Sequence, residues 1–340
     1  MREIKITDKS ARRFTRGIDE LGMQALDNLA SRSAGSNWWK DLLTLWRPCG
    51  LPSGSDDLRL AIRNGYMNFY RRGQSVARVE VSPDWRPRLY VHIKYVLPKS
   101  ERDTTVRSEY VGLQTDHVVR RDGTKLLPYE GIATLRQWVQ AVDADYSGPE
   151  KEFIDELIGL PENDCVLDLE MGLPAWSDKS TAPRIDLVSL SRLNGALTVF
   201  FGEVKRFTDG RLRCRGPLVV DQAPEVLKQL SDYRRYLDRP EHRDVVGREY
   251  INAARDMRRL RSMADALGEV RPLGETILEA ARSDSLSVAR HAHLIVFNDG
   301  GGNQKAWEGH RAKLEAEAAR APMTVMKAPE PIRFGEQAQR

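Results

Sequence analysis

Cysteine is scarce. The three that occur, Cys49, Cys165 and Cys214, stand far apart with no Cys-x-x-Cys pair. That spacing argues against a disulfide framework and a zinc ribbon. An iron–sulfur cluster needs four thiolates, so no iron–sulfur cluster is expected. No apolar run is long enough to cross a bilayer. The first residues, MREIKITDKSARRF, lack the apolar core of a secretory signal. A reducing cytoplasm and no membrane partner are the expectation. Neither sign of charge dominates: 53 Lys and Arg stand against 49 Asp and Glu, for a net charge of +4. Overall charge therefore does not demonstrate a nucleic-acid partner. No Gly-x-Ser-x-Gly motif occurs. The run Asn298-Asp299-Gly300-Gly301-Gly302-Asn303 lacks the Lys-Ser/Thr of a phosphate loop and the spacing of a dinucleotide fingerprint, and reads as a flexible connection. His291 and His293 would share a strand face, but no third ligand accompanies them, so they read as structural.

The most informative stretch covers residues 183–207, PRIDLVSLSRLNGALTVFFGEVKRF. Two runs rich in β-branched and aromatic residues flank Asn194-Gly195. Both turn residues tolerate the positive φ of a type I′ turn, so the spacing predicts a two-residue β-hairpin. Leu193 then pairs with Ala196 and, further out, Asp186 falls opposite Glu203. Lys205, two positions past Glu203, points to the same face. Carboxylates so placed have Cβ atoms roughly 4.5–5.5 Å apart and repel. A divalent cation would compensate them. Val188, Leu190, Val199 and Phe201 share that face, and Ile185, Leu187, Phe200 and Val204 occupy the other. A hairpin apolar on both faces belongs in a sheet covered on both sides. The plain alternative is a charge ladder at a frayed sheet end. A one-residue slip would turn Asp186 to the other face.

Asp on one strand and Glu-x-Lys on the next, here Asp186 and Glu203-Val204-Lys205, resemble the PD-(D/E)xK nuclease superfamily. The resemblance implies that Asp186 and Glu203 hold Mg²⁺ or Mn²⁺ and that Lys205 positions or activates the attacking water. A metal suits that chemistry because it neutralises phosphate, lowers the pKa of bound water and stabilises the leaving oxygen. Pro183 stands three residues before Asp186 rather than next to it, a departure from the family pattern. After the hairpin, DQAPEVLKQLSDYRRYL (221–237) places Val226, Leu230, Tyr233 and Leu237 at helical spacing. Gln229 and Tyr233 are neighbours on that helix. This Gln-xxx-Tyr pair resembles the RecB-like branch, in which it lies beside the active site and contacts nucleic acid. The alternative puts Tyr233 in the core and Gln229 on the surface. Before the hairpin, PEKEFIDELIG (149–159) reads as an amphipathic helix with Phe153, Leu157 and Ile158 inward. Family members often carry a metal-site glutamate on this helix, which implies Glu152, with Glu156 as the other candidate. Glu170, in the strand-like CVLDLEMGL, is a further acid near this core.

Earlier in the chain, residues 58–99 hold nine basic residues against two acidic ones, with aromatics interleaved. Basic side chains neutralise phosphates and aromatic rings stack on unpaired bases. Arg71, Arg72, Arg78 and Tyr70 are the nucleic-acid-binding candidates; an ordinary meander with basic outer positions is the alternative. Residues 6–47 read as mostly helical, with Trp38, Trp39 and Trp46 as anchors. Residues 58–97 read as three or four short strands, 98–124 as loop-rich and 132–142 as a helix. Gly and Pro in the run 145–149 mark a boundary. The expected fold is α/β: a restriction-endonuclease-like core, a mixed sheet flanked by helices, over 149–340 with a helical insertion at about 240–290. An N-terminal α+β domain with an antiparallel meander, residues 1–148, would bind nucleic acid or dock a partner. The implied activity is a Mg²⁺-dependent deoxyribonuclease, in a setting of phage defence or DNA repair. RNA is the other substrate class. A non-catalytic binding or assembly subunit with a relic nuclease fold is the rival reading, and a protein partner or a second copy of the chain the other class of partner.

Overall fold

The computed structural model describes residues 14–32, 37–81, 84–101, 109–114, 116–174, 184–214, 223–317 and 321–334. Pro183, Asp221 and Gln222 lie outside them. An extended entry bridges Gly17 to Asn64 and leads into α1 (Glu20–Ala30) and α2 (Trp38–Leu45). Side chains start both helices: Asp19 accepts from the Gly22 N–H, and Asn37 from the N–H groups of Trp39 and Lys40. These bonds satisfy donors that a helix leaves open at its N-terminus.

A seven-stranded antiparallel meander follows, with strands adjacent in chain order. Its strands are β1 (Arg59–Ile62), β2 (Tyr66–Arg71), β3 (Gln74–Val81), β4 (Pro87–His92), and, after the one-turn α3 (Ile93–Val96), β5 (Tyr110–Gln114), β6 (His117–Val119) and β7 (Lys125–Pro128). The first four lie where strands were expected. The last three fall largely in the stretch read as loop-rich. They are three to five residues long and mixed in polarity, so they carry little period-two signal. Alternation divides the sheet into two faces. Met67, Phe69, Ala77, Val79, Leu89, Val91 and Val111 are buried. They pack toward α1, α2 and α4 (Ile132–Asp145).

The second sheet is mixed and has five strands. The chain runs α5 (Pro149–Gly159), β8 (Val166–Gly172), β9 (Arg184–Leu193), β10 (Ala196–Arg206), α6 (Glu225–Leu237), α7 (Pro240–Ala266), α8 (Glu275–Arg282), β11 (Ser287–Phe297), α9 (Gln304–Glu315) and β12 (Met323–Met326). β8, β9 and β10 are antiparallel; β11 and β12 run parallel to β10. α7 and α8 lie inside the crossover from β10 to β11. Both faces are covered. Phe153, Leu157 and Ile158 of α5 meet Leu187, Phe200 and Val204. Val226, Leu230 and Tyr233 of α6 share a cluster with Val188, Leu190, Val199 and Phe201. His293 sits on β11, hydrogen-bonded to Thr324 at 2.7 Å. Burial pushes its imidazole pKa down to about 4 and keeps the ring neutral. In the glycine-rich run, Asn303 caps α9 through the Ala306 N–H.

Chain order changes character between α4 and α5, but packing does not stop there. One continuous apolar cluster runs from α1 and α2 through the meander to α6, α7 and α8. A buried charge pins the two regions. Asp168 of β8 accepts from Arg16 Nε at 3.2 Å, from Arg63 Nη1, and from the Tyr250 hydroxyl at 3.1 Å. The entry segment, the end of β1 and α7 thus meet on one carboxylate. Removing it would strand two buried guanidinium groups. Asp168→Ala is expected to lower unfolding free energy by about 3–5 kcal/mol. Urea denaturation measures this, and a loss under about 1 kcal/mol would contradict the pinning role.

Candidate active site

The hairpin forms in the register its turn dictates. Asn194 and Gly195 have φ of 51° and 83°, as a type I′ turn requires. Pairing runs from Leu193–Ala196 out to Leu187–Gly202. Asp186 and Glu203 come next. There the ladder gives way to a side-chain bond, with Asp186 Oδ2 accepting the Val204 N–H at 2.8 Å. The Lys205 ammonium donates to Glu203 Oε1 and, at 2.7 Å, to the Val204 carbonyl. It lies 3.6 Å from Asp186 Oδ2. The Glu203 and Lys205 side chains are only 2% and 3% exposed. Burial, then the charge of Asp186, raises the Glu203 pKa against the pull of Lys205 and Gln229. Burial opposes the charge on Lys205, but Asp186, Glu203 and Glu150 outweigh it and hold the ammonium above its ordinary range. One atom is left over. Glu203 Oε2 is buried and, among the described residues, has no hydrogen-bond partner.

The first turn of α5 brings further charge, though not through the expected residue. Glu152 is 45% exposed and pairs with Arg72 at 3.2 Å; Glu156 is exposed. Glu150 is the helix glutamate at the site. Its Oε2 accepts the Arg206 N–H at 3.2 Å. Burial raises its pKa, with Lys205 pulling down and Asp186 pushing up. Two helical positions turn a side chain by roughly 200°, so Glu150 and Glu152 cannot serve the same point. Lys151 lies 2.5 Å from Glu170 Oε1 and 3.8 Å from Asp186 Oδ1. Lys151 thus stands between Glu170 and Asp186. The Glu170 φ of 51° is strained for a side chain within a strand, a cost of order 1–3 kcal/mol that clusters at functional sites. Glu150 and Lys151 escaped the sequence reading because the helix was judged by its apolar stripe. Their position in the first turn after Gly148-Pro149 was the available signal.

The helix α6 starts at Glu225 and brings Gln229 to the same place. Gln229 Nε2 donates to Glu203 Oε1 at 2.8 Å and to the Arg184 carbonyl at 3.0 Å. Tyr233, one turn on, is fully buried, and its hydroxyl has no hydrogen-bond partner among the described residues. Burial and the nearby Glu203 raise its pKa.

The meander candidates divide. Arg71 is 4% exposed, bonded to Asp143 at 2.8 Å and to the Gly54 carbonyl at 2.9 Å. Arg72 pairs with Asp143 at 3.4 Å and with Glu152. Both are spent on internal partners, which corrects their assignment to phosphate binding. Arg78, itself paired with Glu80 at 2.6 Å, and Tyr70 line a cleft of about 1290 Å³ that also reaches Lys151 and Glu170. The Arg72-Gly73 turn, with φ of 45° and 68°, presses on the same two residues. A Cβ on Gly73 would stand 2.8 Å from Lys151 Cδ and 2.9 Å from Glu170 Oε1.

Among the described residues no three His, Cys, Asp or Glu side chains converge as a closed metal-binding group. The arrangement is open, with Asp186 and Glu203 facing one another and an orphaned Oε2. Mg²⁺ takes one or two carboxylates and completes its shell with water and substrate oxygens, so the residues present fit such an ion. No protein-family model, curated protein or solved structure matches this chain.

Lys205 is the cation that reconciles Glu203 with burial. Its removal is therefore not silent. Lys205→Met should cost about 3–5 kcal/mol, the range for breaking a buried pair. Lys205→Met with Glu203→Gln should recover most of it. Chemical denaturation of the three proteins checks this; equal losses in the single and double variants would deny the coupling.

Proposed function

We propose that this chain is a metal-dependent nuclease with a restriction-endonuclease-like core, hydrolysing phosphodiester bonds in DNA. The observation that carries the reading is Asp186, Glu203 and Lys205 on adjacent strands, with Gln229 of the following helix bonded to Glu203. The order of helix, strand, hairpin, helix and parallel strand supports it by resemblance to PD-(D/E)xK enzymes. Asp186 and Glu203 would hold Mg²⁺ or Mn²⁺, with Glu150 close by in place of Glu152. When bound, the ion would neutralise phosphate and lower the pKa of a water.

The chain's own residues have separable tasks. Gln229 and Lys205 occupy Oε1 of Glu203, which fixes the carboxylate and leaves Oε2 free. Lys205 keeps a positive charge where an attacking oxygen or a phosphate would gain negative charge. The Val204 N–H orients Asp186. Lys151, at the border of the cleft, adds a second cation. A relic fold would have no need to keep strained Glu170 and buried Lys205 beside two acids. Cleavage of RNA is the runner-up, and the same assay decides it.

The test is incubation with labelled single- and double-stranded DNA and RNA in Mg²⁺, Mn²⁺ or EDTA. Metal-dependent cleavage of DNA is expected, abolished by EDTA. Asp186→Asn keeps an acceptor for the Val204 N–H, which Asp186→Ala would lose, and should slow cleavage at least about a hundredfold with little change in stability. Gln229→Ala should slow it about 10–100-fold, as loss of a group orienting a ligand does. Wild-type rates in Asp186→Asn would sink the site assignment, and absence of cleavage in every mixture would favour the binding subunit.

A further inference from the structure

We propose that the cleft between the meander and the candidate active site binds a single, unpaired nucleic-acid strand and delivers it to Asp186. The proposal rests on the nuclease reading and adds the substrate's form. The cleft is floored by the second face of the meander. Tyr66, Asn68 and Tyr70 of β2, Arg78 of β3, His92 of β4 and Tyr110 of β5 all line it. The solvated face of an antiparallel sheet ordinarily carries plain polar residues. Here tyrosines are interleaved with amides and a guanidinium, and Arg78 lies 3.9 Å over the Tyr66 ring.

Charge has the same slant. Arg16, Arg63, Arg78, Lys94, Lys151 and Arg184 line the cleft, with Glu170 the one carboxylate among the described residues there. Arg16 and Arg63 are held by Asp168, Arg78 pairs with Glu80 at 2.6 Å, and Lys94 donates to Gln74 at 2.9 Å. Arg184 is exposed and makes no ion pair among the described residues. It precedes Asp186 by two positions on β9 and so shares its face. The uncommitted cation is thus beside the chemistry, and Lys151 ties cleft to site through its contacts with Glu170 and Asp186. Three lining residues also carry buried polar atoms with no partner among the described residues: Asn68 Oδ1, Ser75 Oγ and Arg78 Nε.

Size and chemistry select the ligand. A volume of about 1290 Å³ exceeds the roughly 300–1,000 Å³ of small-molecule sites and suits a segment of polymer. Phosphates would meet Arg184 and Lys151. Rings such as Tyr66 and Tyr110 can stack only on bases that are not already stacked and paired. A duplex would leave them unused, and so would an acidic peptide.

The experiment is fluorescence anisotropy on the full chain in EDTA, so that binding is read without cleavage. The probes are a labelled single-stranded oligonucleotide, its duplex, and an acidic peptide. The single strand is expected to bind at least about tenfold tighter than the duplex. Tyr66→Ala and Tyr110→Ala should each weaken it by about 5- to 150-fold, the worth of one stacked base, while Tyr66→Phe and Tyr110→Phe hold it. Arg184→Ala, a surface change, should flatten the salt dependence by about 0.7 in log–log slope. Equal or tighter duplex binding, single-strand affinity indifferent to the tyrosine and Arg184 variants, or binding of the peptide alone would overturn the proposal. Single-strand binding of this pattern without metal-dependent cleavage would leave the cleft standing and remove the nuclease reading. Cleavage without the pattern would do the reverse.

Discussion

Asp186 and Glu203 face each other across one hairpin, and both are largely withheld from water. Two carboxylates so placed are unfavourable unless positive charge is supplied. The surroundings answer that demand from several directions. Lys205 arrives from the same strand, Lys151 from the first turn of α5, and the Gln229 amide from α6. The Val204 N–H engages Asp186. Even so, Glu203 Oε2 remains without a partner among the described residues. A buried unsatisfied carboxylate oxygen costs more than a typical net hydrogen bond provides. A site that retains this cost is arranged for something other than stability alone.

The same constraint reaches across the molecule. The Arg72-Gly73 turn of the meander packs on Lys151 and Glu170, and the glycine leaves room for both. Asp168 gathers Arg16, Arg63 and Tyr250 one strand away from Asp186. The first half of the chain is therefore a wall of the site, locked on by charge and by a shared core. The cleft beside that wall is lined in part by Arg184 and Lys151.

Much of this was legible in the residues because local rules agree there. Asn194-Gly195 fixes the register, and register alone brings Asp186, Glu203 and Lys205 to one face. The helix 149–159 was bounded by Gly148 and Pro149, and its apolar stripe was read correctly. What failed did so for lack of tertiary information. Arg71 and Arg72 read as phosphate ligands because Asp143, their partner, lies some seventy positions away in sequence. Glu152 and Glu156 were the helix candidates, and Glu150 was missed, because helical phase relative to the hairpin cannot be read from one helix. β5, β6 and β7 are stabilised by neighbouring strands rather than by a pattern of their own. Asp168 looked like one more polar residue in a strand, and nothing local announced its three partners.

The central claim is that Asp186 and Glu203 form a divalent-cation site with its free oxygen on Glu203. Calorimetric titration of Mn²⁺ into the 340-residue chain tests this, with Glu203→Gln as the perturbation and Glu152→Gln as the control. Saturable Mn²⁺ binding is expected, weakened more than tenfold by Glu203→Gln, beyond the lower end of what loss of an outer-shell group costs, and unchanged by Glu152→Gln. Equal Mn²⁺ binding by wild type and Glu203→Gln, or a loss confined to Glu152→Gln, would contradict it.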